Sequence, residues 1–297
     1  MAVNYARLPT EQPNPRSRHL DRLTTTQLLR LINQEDAMVP HAVSRVLPQI
    51  AHAISLIIAS LREGGRVFFL GAGTSGRLGV IEAAECPPTF NTPSSMVQAI
   101  IAGGPSAVFR SREGAEDDRR AAQRAVDRHV RAGDSLVGIA ASGVTPFVEE
   151  GLRTARKQGA STVLLTCSAS GGRRLADVVI APRVGPEILT GSTRLKAGTA
   201  TKLVLNMLTI ASMVRMGKVY GHFMVDVRPT SRKLRERALR LIQTIAGTSR
   251  LPAASSLRRA HGDTKVAIVM ASLHVDAARA RHLLTQHHGL LRHVLSK

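Results

Sequence analysis

The feature that most constrains the fold is an alternation of short apolar runs with helical patterns. The runs lie at 66–71, 95–104, 134–143, 161–167 and 177–182, and each carries five or six mainly aliphatic or β-branched residues. The clearest helical pattern between them, at 116–134, places Ala122, Val126 and Val130 on one face. Buried strands that alternate with helices predict an α/β fold, with a doubly wound, five-stranded parallel sheet flanked by helices.

The regions outside this alternation carry helical patterns and few strand signals. Residues 1–20 are polar and rich in proline, and we interpret 1–50 as an arm followed by helices. We predict a main domain over 51–245, which ends with a long helix and further helical residues. Helical patterns alone fill 250–297, which we predict to be a small helical domain.

Composition narrows the class of protein. No apolar run approaches the roughly 20 residues that span a bilayer, and the first residues lack the apolar centre of a signal peptide. Cys86 and Cys167 form no disulfide framework, so we expect reduced thiols, a cytoplasmic location and no membrane association.

The formal net charge is +20, from 41 basic and 21 acidic residues. The basic residues are spread along the chain, no zinc-finger spacing occurs, and aromatic residues make up only 3%. These features argue against specific nucleic-acid binding, which uses a basic patch and aromatic platforms. A positive protein still attracts anionic substrates.

A glycine-rich turn follows the first apolar run, with Gly71, Gly73 and Gly76 in the G-x-G-x-x-G spacing of dinucleotide sites. Such sites also need an acidic residue about 20 positions further on, to bind a ribose hydroxyl. No Asp or Glu lies between Cys86 and Arg112, and no Gly-Lys-Ser/Thr follows the turn. The sequence therefore disfavours both a dinucleotide site and a P-loop.

Hydroxyl side chains in three turns offer another use for this region. They are Thr74 and Ser75 beside Gly76, then Ser142 and Thr145, then Ser192 and Thr193. Backbone N–H groups at a helix start suit an anion, and hydroxyls add donors. Each turn taken alone is also explained as a helix cap. Three of them together favour a phosphate monoester, and a sugar phosphate is the natural small candidate.

The long motifs of the chain resemble one family. From about Thr10 to the C-terminus, the stretches "LGAGTSGRLG", "AAECPPTF", "EGAED", "VGPEILTGSTRLKAGTATKLVLNML" and "GKVYGHFMVDV" are similar to those of N-acetylmuramic acid 6-phosphate etherases. This family has a sugar-isomerase (SIS) domain. The glucokinase regulatory protein is a relative that binds sugar phosphates without this catalysis. A non-catalytic sugar-phosphate sensor is therefore the alternative function.

The resemblance implies an activity and its residues. It implies elimination of D-lactate from the 6-phosphorylated sugar, followed by addition of water, with no metal or redox cofactor and in a homodimer. By motif, the catalytic acid corresponds to Glu85 and the second catalytic residue, the base, to Glu116. One acid and one base are what an elimination next to an aldehyde requires.

Local sequence agrees with this division. Glu85 lies among alanines, Cys86 and Pro87, where burial would keep the carboxyl protonated. Glu116 opens a helical pattern, where the positive helix end would favour the carboxylate, although acids in a first turn are also ordinary dipole partners. We expect Glu113 to contact sugar hydroxyls and Glu82 to be an exposed helix residue.

Two further features bear on substrate binding. Arg194 and Lys196 could meet the phosphate or the lactyl carboxylate, and a surface or subunit contact explains them as well. The family usually has Arg where Val144 stands, and its turn after the fourth strand differs from "CSASGG" at 167–172. We therefore expect one substrate contact to be lost or to be supplied by another residue.

Overall fold

The five apolar runs form one parallel sheet in the computed structural model, which describes residues 8–168 and 175–296. The strands are β1 (Val67–Gly71), β2 (Val97–Ile101), β3 (Ser135–Ile139), β4 (Ser161–Leu165) and β5 (Val178–Ile180). Their order is β2-β1-β3-β4-β5, and every neighbouring pair is parallel. The predicted fold class is thereby confirmed. The predicted difference in the 167–172 turn lies largely outside the described residues.

Helices connect and follow these strands. They are α1 (Thr25–Asp36), α2 (Val39–Ser44), α3 (Leu47–Arg62), α4 (Gly73–Phe90), α5 (Arg119–His129), α6 (Pro146–Lys157), α7 (Lys196–Arg215), α8 (Arg232–Ala246), α9 (Arg250–Arg259), α10 (Thr264–Leu273), α11 (Ala277–Gln286) and α12 (Leu291–Leu295). A short antiparallel pair of strands follows α7. Its strands are β6 (Val219–Tyr220) and β7 (Phe223–Met224), which the sequence did not predict. Strands of two residues are too short to show an alternation in sequence.

Packing divides the chain into two units. One comprises the described residues of Met1–Ala84 and Ser94–Thr209, and the other comprises Glu85–Pro93 and Ile210–Lys297. The boundary predicted near residue 245 falls inside the second unit. The reason is that α8 packs on α9 and α10 in one apolar cluster, which includes Leu239 and Ile268.

The core of the first unit explains why its strands are continuous apolar runs. Phe68, Leu70 and Leu136 pack with Phe147 and Leu152 of α6 in one cluster of fully buried side chains. Strands covered by helices on both faces have no solvent side, so they lack polar alternation.

The glycine spacing at the end of β1 has a structural cause. A Cβ atom on Gly76 would lie 2.7 Å from the carbonyl oxygen of Gly71 and 2.6 Å from Cγ1 of Ile101. Gly73 has a φ of +52°, in the left-handed region that favours glycine. The three glycines therefore let the chain turn sharply from strand to helix, and no nucleotide is needed to explain them.

Helix α7 has the length and composition of a membrane span, with a mean hydropathy of 1.3. Its sequence contains no uninterrupted apolar run of that length. However, 56% of the apolar stretch is buried inside the protein. A core helix of a soluble protein has this character.

A stability test follows from the contact between Gly71 and Gly76. We expect Gly76→Ala to lower the free energy of unfolding by about 1–3 kcal/mol, because overpacking against backbone forces a shift. Gly198→Ala in α7 is the matched control, because its Cβ would be 3.6 Å from the nearest atom outside its own helix backbone. That change should be neutral or stabilising, since alanine favours helix. Urea unfolding measures both, and equal midpoints would contradict the prediction.

Candidate active site

A cavity of about 320 Å³ lies in the first unit, beyond the carboxyl ends of β1 and β3. This is the edge where ligands bind in open parallel sheets. Five of the hydroxyl residues predicted to bind a phosphate line it, together with Glu116 and with residues that the sequence did not predict. The lining residues are Leu8, Glu11, Ala72, Gly73, Thr74, Ser75, Glu116, Asp117, Ile139, Ala141, Ser142, Val144, Thr145, Pro146, Gly191 and Thr193.

The start of α4 supplies backbone donors to this cavity. The N–H of Gly76 donates to the carbonyl oxygen of Ala72 at 3.1 Å. The N–H groups of Gly73, Thr74 and Ser75 precede that bond and have no acceptor within the helix. Gly76, which the sequence predicted as a binding residue, does not line the cavity and instead packs on β1. The first three residues of α4 are thus the available anion donors.

The start of α6 contributes hydroxyls. Thr145 is the N-cap residue of α6, yet its side chain makes no capping hydrogen bond. The hydroxyl of Ser142 accepts only a long bond, 3.4 Å from the N–H of Val144. Both hydroxyls line the cavity. The capping alternative left open by the sequence therefore does not hold for Thr145.

The third turn contributes less than predicted. Thr193 lines the cavity, but Ser192 and Lys196 do not. The carboxylate of Glu187 accepts hydrogen bonds from the N–H groups of Lys196 and Ala197, both at 2.9 Å. The first two N–H groups of α7 are thus already occupied by a carboxylate of the chain.

Lys196 is a buried ion-pair residue. Its Nζ lies 2.6 Å from Oε2 of Glu35, and both side chains are almost inaccessible to solvent. Asn14 and Arg16 also donate to the Glu35 carboxylate, at 2.8 and 2.9 Å. The contact foreseen between Lys196 and a substrate anion is therefore replaced by an internal pair that joins α7 to α1.

Two carboxyl groups of this region titrate away from their ordinary range. Burial acts to raise the pKa of Glu35, but hydrogen bonds from Lys196 and Asn14 and nearby positive charges hold that pKa below its usual value. Burial raises the pKa of Glu187, against the opposing effect of its two backbone hydrogen bonds. Burial, with the charge of Glu187, also raises the pKa of the Cys167 thiol to about 12. Both cysteines are buried, and neither forms a disulfide within the described residues.

Glu116 lies at the cavity, but not where the helical pattern placed it. It belongs to a short 3-10 helix, Ala115–Asp117, and is exposed. Helix α5 begins later, at Arg119, and Asp118 caps it by accepting from the N–H of Ala121. Asp118 therefore offsets the positive end of the α5 dipole, and Glu116 lines the cavity.

The N-terminal arm provides two lining residues that the sequence reading missed, Leu8 and Glu11. The N–H of Gly191 donates to the carbonyl oxygen of Thr10 at 3.2 Å, which holds the arm beside the third turn. No motif or periodicity marks this segment, since a single backbone hydrogen bond between distant residues leaves no pattern in sequence.

The charges around the cavity are all negative. Glu11, Glu116 and Asp117 are its charged lining residues, and none of the lining residues is Lys or Arg. Val144, which stands where the family usually has Arg, faces the cavity. An anion here is therefore bound by N–H groups and hydroxyls, without a cationic side chain from the described residues of this chain.

A smaller pocket of about 120 Å³ adjoins the cavity and shares Ala72, Gly73 and Glu116 with it. Glu113 lines this side pocket and not the main cavity, and its carboxylate accepts from the hydroxyl of Ser111 at 3.2 Å. Arg77 and Arg112 supply positive charge to the same pocket.

Two glutamates of α4 differ from their predicted environments. Glu85 is exposed, so the burial expected to keep it protonated is absent. Glu82 is buried, contrary to expectation, and its carboxylate accepts from Nζ of Lys202 at 2.5 Å and from the hydroxyl of Thr209. Helical spacing places both on one helix but does not say which of its sides is covered.

Glu85 follows Ser75 by ten residues on α4 and does not line the cavity.

Over residues 8–168 and 175–296, no three His, Cys, Asp or Glu side chains are grouped to bind a metal ion.

The parallel sheet, the hydroxyl-rich turns at its carboxyl edge and the cavity between them define an α/β protein of the sugar-isomerase (SIS) type. The family description "Glucokinase regulatory protein N-terminal SIS domain" matches residues 49–156. The phosphoheptose isomerase GmhA from Neisseria gonorrhoeae has a similar fold, with a TM-score of 0.50 at 18% identity. The match covers 64% of this chain and 99% of that one.

Closer similarity extends over the whole chain. Proteins described as N-acetylmuramic acid 6-phosphate etherase from Yersinia pestis (strain Pestoides F) and Yersinia pseudotuberculosis (strain YPIII) are each 49% identical over 295 residues. These matches cover 99% of this chain and 100% of the relatives. The chain belongs to the N-acetylmuramic acid 6-phosphate etherase family.

The buried pair gives a prediction that separates stability from binding. We expect Lys196→Met to lower the free energy of unfolding by about 3–5 kcal/mol, because it removes the buried cationic partner of a buried carboxylate. The double variant with Glu35→Gln should lose less than the sum of the single variants. Urea unfolding and calorimetric titration with a sugar phosphate measure the two quantities. A folded Lys196→Met protein with more than tenfold weaker binding would contradict the assignment.

The same pair predicts a pH dependence. The pKa of Glu35 is lower in the folded than in the unfolded chain, where 4.5 is the ordinary value. Its stabilising contribution is therefore present above pH 4.5 and is lost as the pH falls through the folded pKa. Wild-type unfolding free energy should fall more steeply below pH 4.5 than that of Lys196→Met. Parallel pH profiles would show that Glu35 is not held ionised by Lys196.

Proposed function

We propose that this protein cleaves the lactyl ether of N-acetylmuramic acid 6-phosphate, giving N-acetylglucosamine 6-phosphate and D-lactate. The observation that carries the proposal is Glu116 in the wall of the cavity that holds the hydroxyl and N–H cradle. A phosphate anchored there brings the sugar carbons within reach of a carboxylate. Full-length similarity to curated etherases supports the same substrate.

The chemistry begins with the open-chain form of the sugar, whose C1 aldehyde makes the C2 proton acidic. The Glu116 carboxylate takes this proton, and the C2–H electron pair forms a C2=C3 double bond. The C3–O bond breaks, and the leaving lactyl oxygen receives a proton from the Glu85 carboxyl. One positioned base and one positioned acid thus remove D-lactate.

Water then completes the reaction. Glu85, now a carboxylate, takes a proton from water as the oxygen adds to C3, and Glu116 returns its proton to C2. The net change is one ether and one water converted to two alcohols, one on the amino sugar and one on lactate. Both glutamates regain their starting states, and the balance requires no oxidant or reductant.

The position of Glu85 supports a site shared between two chains. Glu85 is exposed and does not line the cavity that contains Glu116. In a homodimer with twofold symmetry, Glu85 of one protomer serves the cavity that contains Glu116 of its partner. This arrangement also brings an exposed carboxyl into an enclosed site.

The remaining assignments follow from the same cavity. The N–H groups at the start of α4, with Thr74, Ser75, Ser142, Thr145 and Thr193, bind the phosphate. We place the protein in the cytoplasm, because buried cysteines outside any disulfide suit a reducing compartment.

The two glutamates give the first test of this proposal. We expect Glu85→Gln and Glu116→Gln each to reduce D-lactate release by about 10²- to 10⁴-fold, the usual contribution of a positioned acid or base. Both variants should bind the substrate within about threefold of wild type, because neither carboxylate is needed to bind phosphate. A coupled lactate assay and calorimetry measure these effects. Full turnover in both variants would sink the assignment, and wild-type binding without release would favour the sugar-phosphate sensor.

A mixing experiment tests the shared site. Random exchange of Glu85→Gln with Glu116→Gln chains makes half of the dimers mixed, and each mixed dimer contains one site with both glutamates intact. Activity should therefore return to roughly a quarter of wild type after exchange. Mixing two preparations of the same variant is the control. No recovery, with chain exchange verified by mass spectrometry, would assign both glutamates to one protomer.

A further inference from the structure

The substrate of the proposed reaction carries two anionic groups, and the main cavity suits only one of them. A phosphate monoester is met by N–H groups and hydroxyls at the starts of α4 and α6. The lactyl carboxylate would face Glu11, Glu116 and Asp117 in the same cavity, with no cationic side chain to offset them. A carboxylate taken out of water needs a positive partner. We therefore expect the lactyl carboxylate to bind beside the main cavity.

The side pocket defined above has that partner. It opens from the main cavity at Gly73 and Glu116, and Arg77 and Arg112 line it. We propose that this pocket is the subsite for the D-lactyl group, and that the two arginines bind its carboxylate. The inference rests on the proposed function, because it names how that substrate is distinguished from other sugar phosphates.

The hydrogen bonds of the two arginines leave their charge available. Nε of Arg77 donates to the carbonyl oxygen of Val108 at 2.8 Å, and Nη2 of Arg112 donates to the hydroxyl of Ser106 at 3.0 Å. Both acceptors are neutral. Among the described residues, neither guanidinium forms an ion pair, although two glutamates line the same pocket. Each is thus oriented by a neutral acceptor and keeps N–H groups for a ligand.

The shape and volume of the pocket agree with a small acid. Its volume of about 120 Å³ equals that of roughly four water molecules at about 30 Å³ each, which suits a three-carbon carboxylic acid. The planar guanidinium fork matches the two oxygens of a carboxylate. Gly103, with a φ of +82°, lets the side chain of Arg112 pack closely over the loop that forms the pocket wall.

The location of the pocket agrees with the reaction. Glu116 lines both spaces, so a sugar in the main cavity places its C2 proton and its C3 substituent on either side of this carboxylate. The leaving lactate then separates into the pocket where Arg77 and Arg112 are available to its carboxylate. The product sugar has no group for this pocket, so its affinity should be lower than that of the substrate.

The test compares N-acetylmuramic acid 6-phosphate with its neutral lactyl amide. Dissociation constants are measured by calorimetry in the Glu85→Gln background, or in the wild-type background if that protein does not turn over the acid. We expect the acid to bind more tightly than the amide. Arg112→Ala and Arg77→Gln should each weaken binding of the acid by about 10- to 100-fold, the range for a hydrogen bond to a charged group, and change binding of the amide less than about threefold.

The controls separate charge from folding and from overall attraction. Arg110→Ala removes the same charge from the same loop at a residue that does not line the pocket, so the ratio of acid to amide binding should not change. Arg112→Lys retains the charge without the fork and should recover part of the preference for the acid. Circular dichroism and urea unfolding confirm that each variant is folded.

Each outcome of this experiment supports or overturns the subsite. An unchanged ratio of acid to amide binding in both folded arginine variants overturns it, as does a wild-type protein that binds both ligands equally. A protein that prefers the acid through these arginines but releases no lactate keeps the subsite and refutes the etherase activity. Failure of the inference and failure of the proposed function are therefore distinguishable.

Discussion

The close contact between the end of β1 and the start of α4 is the constraint on which the candidate site depends. With only hydrogen atoms at Gly71 and Gly76, the helix begins directly against the strand, and its first three residues line the cavity beyond the end of that strand. A side chain at either position would move α4 away. The cradle for an anion is thus a consequence of backbone packing, and the hydroxyls of neighbouring turns complete it.

The net charge of the protein and the charge of its main cavity have opposite signs. The chain carries a net charge of +20, yet the charged residues that line its main cavity are acidic. Excess positive charge over the whole protein draws anions toward it and raises association rates. Inside the cavity, the proposed phosphate site consists of N–H dipoles and hydroxyls, and among the described residues none of the lining carboxylates forms an ion pair. A lysine placed among them would pair with Glu116 and weaken this proposed base.

The sequence predicted the sheet well, because parallel strands buried on both faces leave unbroken apolar runs. Five of the hydroxyl residues that the sequence singled out line one cavity, as does Glu116, while the catalytic roles that the long motifs predict for Glu85 and Glu116 stay predictions. Side-chain environments were harder to predict. The position of Lys196 next to hydroxyl residues predicts an anion ligand. In the structure its ammonium group instead pairs with the carboxylate of Glu35, 161 positions earlier. Glu82 and Glu85 lie in similar sequence surroundings on one helix, and only tertiary packing determines that Glu82 is buried and Glu85 is exposed. Glu11 lies at the cavity because the arm around it is held by hydrogen bonds to residues far along the chain, such as that from Gly191 to Thr10, which no periodicity records.

Part of the N-terminal arm lies in the wall of the cavity. Leu8 and Glu11 line it, and the carbonyl oxygen of Thr10 is tied to the N–H of Gly191. A purification tag or a protease cut near this end would therefore alter the ligand environment itself. Preparations that differ only in their first dozen residues should then differ in Michaelis constant, and assays of such a protein are best compared at one defined terminus.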